Sequence, residues 1–175
     1  RIDALLVFEY FADKGCRAAA GCMVMLIAAL RAQDAQRFSI EKITNQYWDC
    51  KLYASKSGDE IKYLRVMKIA LSPGKTWWRF LENDMFEAKR DHIFTDDKGE
   101  YIHAKCVTAG MREILVRGGF TKEQANQYSA HSSRHFLTSV GQLSGMALSE
   151  SAVFGLWKTG LKVVLSYCDN TLDKM

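Results

Sequence analysis

The stretch His131–Tyr167, HSSRHFLTSVGQLSGMALSESAVFGLWKTGLKVVLSY, decides how the rest of the chain is read. His131 and Arg134 lie three residues apart, a spacing that puts both side chains on one face of a helix. Trp157 follows, and Tyr167 comes ten residues after it. Together they supply a proton-transfer group, a cation, an indole donor and a phenol. A phenol is a weak nucleophile at its ordinary pKa and needs help to attack. A phosphodiester suits such a set, because a guanidinium can hold its charge through two hydrogen bonds. Alone, His131 and Arg134 read equally well as a helix-start histidine beside a solvated arginine. The outcome depends on what the rest of the chain supplies.

Working back towards the start, Lys122–Gln127 reads as a short polar helical or loop segment, and Val107–Val116 as a helix stopped by Gly118-Gly119. Asp96–Gly99 reads as a loop. Residues 76–90 carry apolar side chains at helical spacing, with Ser72 before Pro73-Gly74 as a candidate cap. Trp77 and Trp78 on that helix read as core rather than as a base-stacking platform. From Tyr47 to Ile69, two β-prone runs flank Ser55-Lys56-Ser57-Gly58-Asp59, which predicts a β-hairpin with Lys56 at its tip. A lysine there is a solubilising charge or an ammonium delivered into a groove. Ala18–Leu30 predicts an almost wholly apolar, buried helix, with Arg31 held at the edge of the core directly after it. Asp34 stands three residues on, placed to orient Arg31 or to form an exposed ion pair. Residues 2–12 predict an amphipathic helix broken at Lys14-Gly15. The fold class that follows is α+β, mainly α-helical, with one small antiparallel sheet.

Composition sets the bounds. A chain of 175 residues can bury one full core, and 48% apolar with 25% charged residues is ordinary for a globular domain. The formal charge of +4 is compatible with a nucleic-acid partner without demanding one. Five cysteines with no C-x-x-C pair argue against a disulfide framework and for a reducing compartment. His103 and Cys106 have a metal-ligand spacing, but no second close pair accompanies them. The apolar run Ala18–Leu30 is too short to span a bilayer and lacks the features of a signal peptide. The chain opens inside an amphipathic pattern without methionine, as expected of a domain cut from a longer protein.

In order, the candidates are Arg31, Lys56, His131, Arg134, Trp157 and Tyr167, with Asp34 in support. This order and spacing resembles the catalytic domain of the tyrosine recombinase (phage integrase) family. The family's G-L-R-x-x-E motif is matched by Ala29-Leu30-Arg31-Ala32-Gln33-Asp34, and its hairpin lysine by Lys56. Its H-x-L-R-H-x-F-A-T box is matched by His131-Ser132-Ser133-Arg134-His135-Phe136-Leu137-Thr138, with Gly155-Leu156-Trp157 and Tyr167 following. Asp34 stands where glutamate is usual and Ser133 where leucine is usual. The interval from Trp157 to Tyr167 is one residue longer than the family norm.

The resemblance implies a site-specific recombinase that cleaves and rejoins DNA through a 3′-phosphotyrosyl bond to Tyr167. Arg31 and Arg134 would hold the phosphate, Lys56 would protonate the leaving 5′-oxygen, and His131 would accept the phenol proton. Trp157 would donate its indole N–H or buttress the pocket, and His135 would pack behind the box. No metal, nucleotide or other cofactor is implied. The partners implied are double-stranded DNA and, in the full-length protein on DNA, a tetrameric synapse of identical chains, with no membrane partner. A mobile element and an intracellular, DNA-associated location fit this reading. Residues 1–175 would then be the catalytic half of a longer protein, without the family's N-terminal DNA-clamping domain. A type IB topoisomerase uses similar residues and the same bond chemistry, but the lysine hairpin and the box followed by Trp157 fit a recombinase better. A telomere resolvase has no residue pointing to it specifically. A non-catalytic DNA-binding module derived from a recombinase would not need every candidate side chain, and a plain helical interaction domain would need none of them.

Overall fold

The structure is a computed structural model that describes residues 2–53, 61–87, 93–95, 98, 100, 102–133 and 135. Helix α1 (Ile2–Asp13) turns Ala4, Leu5, Phe8 and Ala12 inward, at the i, i+1, i+4, i+8 spacing of one helical face. Gly15, at φ +87°, reverses the chain into α2 (Arg17–Ile27). From Ala19 to Leu26 every residue of α2 is buried, so this helix is surrounded on all sides. Its small residues set how closely neighbours approach. A Cβ on Gly21 would come within 2.5 Å of the Phe94 ring and 2.6 Å of Ile93. The helix ends at Ile27, three residues earlier than its apolar run predicts, because Ala29 turns into the left-handed region.

A four-residue helix, α3 (Ala32–Ala35), leads into a three-stranded antiparallel sheet: β1 (Phe38–Ile43), β2 (Tyr47–Leu52) and β3 (Lys62–Met67), in that spatial order. The expected hairpin is the β2–β3 pair, running from Tyr47↔Met67 to Leu52↔Lys62. Its tip, with Lys56, lies outside the described residues. Strand β2 alternates, with Trp48, Cys50 and Leu52 buried against the helices. Burial pushes the Cys50 thiol up to about 12, so it is a protonated, apolar core group. Outward-facing Arg65 pairs with Asp49 and lies over the Tyr47 ring at 3.7 Å.

The segment after β3 corrects the expected cap. Ser72 does not cap a helix; its N–H donates to Glu9 at 3.0 Å, and Leu71 N–H donates to the other oxygen of the same buried carboxylate at 2.6 Å. Asp13 receives the Thr76 N–H and the Lys75 ammonium, both at 3.0 Å. Within the expected helix of residues 76–90, the described residues 76–87 are not one regular helix. A short α4 (Trp78–Leu81) passes into a π-helical turn over Glu82–Glu87. Trp77 is fully buried, edge-on to Trp48 at 6.1 Å, so the tryptophan belongs to the core.

Gln36 then pins the following segment. Its side-chain amide donates to the carbonyls of Phe94 (2.8 Å) and Ile102 (3.1 Å), while its oxygen accepts the Phe94 N–H at 2.8 Å. Helix α5 (Ala104–Arg117) packs Val107, Met111, Ile114 and Leu115 inward and ends at Gly118. Helix α6 (Lys122–Asn126) starts with Thr121 and Gln124 satisfying each other's backbone N–H groups. Among the described residues, no helix is long and apolar enough to cross a membrane.

Candidate active site

Arg31 is presented by the turn that ends α2. Ala29 adopts φ +50°, and Leu30 N–H reaches back to the Met25 carbonyl at 3.0 Å. Such helix-ending turns place a left-handed residue where glycine is usual. The recombinase motif carries glycine at this position, and this chain carries alanine, at a cost of roughly 1–2 kcal/mol. Leu30 is buried behind the turn. Arg31 itself is half-buried, with extended backbone (φ −72°, ψ 154°), and its carbonyl accepts the Ala35 N–H at 2.9 Å to start α3. The Leu30 N–H before it and its own carbonyl are therefore both held by hydrogen bonds. Asp34 is buried on α3, and among the described residues no ion pair joins it to Arg31.

His131 lies at the start of the next helix. Ser129 N–H donates to Ser132 Oγ, and Ser132 N–H to the Ser129 carbonyl, each at 2.9 Å, which closes the first turn. Helix α5 anchors this start: Ala130 N–H donates to Thr108 Oγ1 at 3.0 Å, and Arg112 donates to the carbonyls of Tyr128 (2.9 Å) and Asn126 (3.1 Å). The His131 side chain is exposed, with its ring edge-on to His135 at 5.7 Å. His135 is half-buried.

One hydrogen bond brings the two motifs together. Ser133, fully buried, donates from Oγ to the Leu30 carbonyl at 2.9 Å across 103 residues of sequence. Leu30 directly precedes Arg31, and Ser133 lies two residues after His131. Arg31 and His131 are thus carried by segments joined through the Ser133 side chain. Lys56, Arg134, Trp157 and Tyr167 lie outside the described residues. Ser133, Thr108 and Arg112 stand in no motif position that marks them as positioning groups, apart from the serine in place of leucine at 133. Among the described residues, no group of three metal-ligating side chains occurs.

Solved structures share this arrangement of elements. The XerH site-specific recombinase bound to difH in a pre-cleavage complex matches with a TM-score of 0.68 at 17% identity, over 94% of this chain and 48% of that one. The fold is that of a tyrosine recombinase catalytic domain. The XerH post-cleavage complex with palindromic difH gives 0.65 at 17% identity, over 94% and 47% of the two chains. A lambda integrase tetramer bound to a Holliday junction gives 0.61 at 10% identity, over 96% and 47%. The chain spans about half the length of these proteins. No family model matches the sequence, and no curated protein matches it by sequence.

Proposed function

We propose that this chain is the catalytic part of a site-specific DNA recombinase that breaks and rejoins duplex DNA through a 3′-phosphotyrosyl intermediate. The observation that carries the reading is the Leu30–Ser133 contact, which joins the Arg31 turn to the His131 helix within a recombinase fold. In this reaction Tyr167 Oη attacks the scissile phosphorus in line. The bond from phosphorus to the 5′-oxygen breaks, leaving the 3′-phosphate on the tyrosine and a free 5′-hydroxyl. The phenol proton passes to His131, and Lys56 gives a proton to the departing oxygen. Arg31 and Arg134 stabilise the charge gathered on the non-bridging oxygens, and the Trp157 indole N–H adds a further donor. The reverse reaction, with the 5′-hydroxyl of another strand as nucleophile, completes strand exchange. Two duplexes and four copies of the protein would form the working assembly, and a mobile element is the proposed setting.

Tyr128 is poorly suited to be the nucleophile. It is half-buried, with its ring edge-on to Phe120 at 6.0 Å and its carbonyl held by Arg112. The test is covalent attachment to a nicked duplex whose cut fragment diffuses away. Wild type forms an adduct that survives denaturing electrophoresis, Tyr167→Phe forms none while still folding, and Arg134→Ala slows the step by about a thousandfold. Adduct formation by Tyr167→Phe at the wild-type rate would overturn the assignment.

A further inference from the structure

We propose that Ser133 is a positioning residue for the cleavage step, holding Arg31 in register with His131; this rests on the recombinase reading above. A serine hydroxyl has one hydrogen to donate. At Ser133 it is directed to the Leu30 carbonyl at 2.9 Å and shared with the Ala130 carbonyl at 3.2 Å. The same hydroxyl therefore touches the segment of each motif. The group is fully buried, so water does not compete for either carbonyl.

The two sides of this bond are otherwise held independently. On the Arg31 side, the Leu30 N–H is tied to Met25, within the turn that forces Ala29 to φ +50°. On the His131 side, Ala130 N–H is tied to Thr108 of α5, and the preceding carbonyls are tied to Arg112. Each segment is thus fixed to a different helix, α2 or α5, and Ser133 Oγ is a direct polar link between them. A leucine at this position, as in the family box, would fill space through dispersion contacts that have no preferred direction. A hydroxyl instead fixes a distance and an angle. In this chain the separation of the phosphate-holding Arg31 from the proton acceptor His131 depends on that geometry. A misplacement of about 1 Å between such groups can slow a reaction about a hundredfold.

The experiment compares covalent attachment rates of wild type, Ser133→Ala, Ser133→Thr, Arg31→Lys and the Ser133→Ala/Arg31→Lys double variant, with duplex binding and thermal unfolding measured alongside. Ser133→Ala is expected to bind duplex within about threefold of wild type and to form adduct about 10–100-fold more slowly. Ser133→Thr, which keeps the hydroxyl, restores most of that rate. In the Arg31→Lys background, which already lacks the planar fork, removing the hydroxyl should cost less than about threefold, because residues acting through one another are not additive. A purely structural role predicts the same loss in both backgrounds, and that result would overturn the proposal. Full activity of Ser133→Ala would overturn it too, while leaving the recombinase reading intact. Absence of any adduct from wild type would overturn both. Should Ser133→Ala unfold at the assay temperature, the comparison of Ser133→Thr with Ser133→Cys, which keeps volume but weakens the donor, decides the same question.

Discussion

Removing the Glu82 carboxylate should loosen the sheet from the helices, and the size of the effect follows from what it touches. Glu82 stands where α4 passes into the π-helical turn. Its Oε1 accepts the Trp48 indole N–H at 2.7 Å and pairs with the Lys68 ammonium. Trp48 is fully buried on β2, and the Lys68 side chain, just after β3, is only 6% exposed. One carboxylate therefore ties both strands of the lysine-bearing hairpin to the helical body. Glu82→Ala leaves a buried ammonium uncompensated, at about 3–5 kcal/mol, and an indole N–H unpaired, at about 1–3 kcal/mol. Lysine is flexible and can turn its charge partly outward, so the net expectation is about 4 kcal/mol. With a urea m-value near 2 kcal/mol/M for a chain of this size, the unfolding midpoint should fall by about 2 M. Tryptophan fluorescence follows it directly, because Trp48 and Trp77 meet in the core. Glu82→Gln keeps an acceptor for the indole and should fall between. Lys68→Met together with Glu82→Gln should recover at least about 2 kcal/mol relative to the sum of the single changes. Strict additivity, or a loss below about 1 kcal/mol in Glu82→Ala, would refute the reasoning.

Three further expectations rest on separate features. Gly21→Ala places a methyl 2.5 Å from the Phe94 ring, and should cost about 2 kcal/mol of overpacking, read as a fall in Tm of roughly 4–8 °C. Asp13 has its pKa lowered, first by the Thr76 N–H and then by Lys75. Its contribution is therefore present above the unfolded value of 3.8 and lost as pH falls towards the lower folded value. Asp13→Asn should flatten the pH dependence of stability below about pH 4; an unchanged slope would count against that bond. Duplex affinity should fall linearly on a log–log plot against salt, and Arg31→Ala should reduce that slope by about 1; an unchanged slope would remove Arg31 from the phosphate contacts.

Periodicity was enough for the elements whose partners matter little. Helices α1, α2 and α5 each present an unbroken helical pattern, and the β2–β3 hairpin has two β-prone runs around a glycine-containing turn. Strand β1 escaped because its alternation breaks. The register shifts between Ile40 and Lys42, so Ile40 and Ile43 no longer keep a period of two. The π-helical turn escaped for a similar reason, since Leu81 and Met85 keep helical spacing across it. Ser72 misled because it precedes Pro-Gly in the way a cap does. The groups that organise that loop are Glu9 and Asp13, whose partners lie 62 and 63 residues away. The candidate site divides the same way. Arginine, histidine and tyrosine announce their chemistry by type and order, whereas Ser133 acts through a carbonyl that no local pattern points to.

The junction between the two motifs shows why departures from a family pattern are best read in pairs. Ala29 stands where the motif has glycine, and the left-handed backbone it must adopt disfavours the turn by roughly 1–2 kcal/mol. Ser133 stands where the box has leucine, and its buried hydrogen bond contributes about 1 kcal/mol to the neighbouring Leu30 peptide. The two magnitudes are comparable and opposite in sign, and they act on adjacent residues. Either substitution read alone looks like erosion of a catalytic motif. Together they describe a turn that has exchanged backbone freedom on one side for a directional tether on the other. Under the proposed positioning role, that tether makes the place of Arg31 depend on the Ser133 segment beside His131.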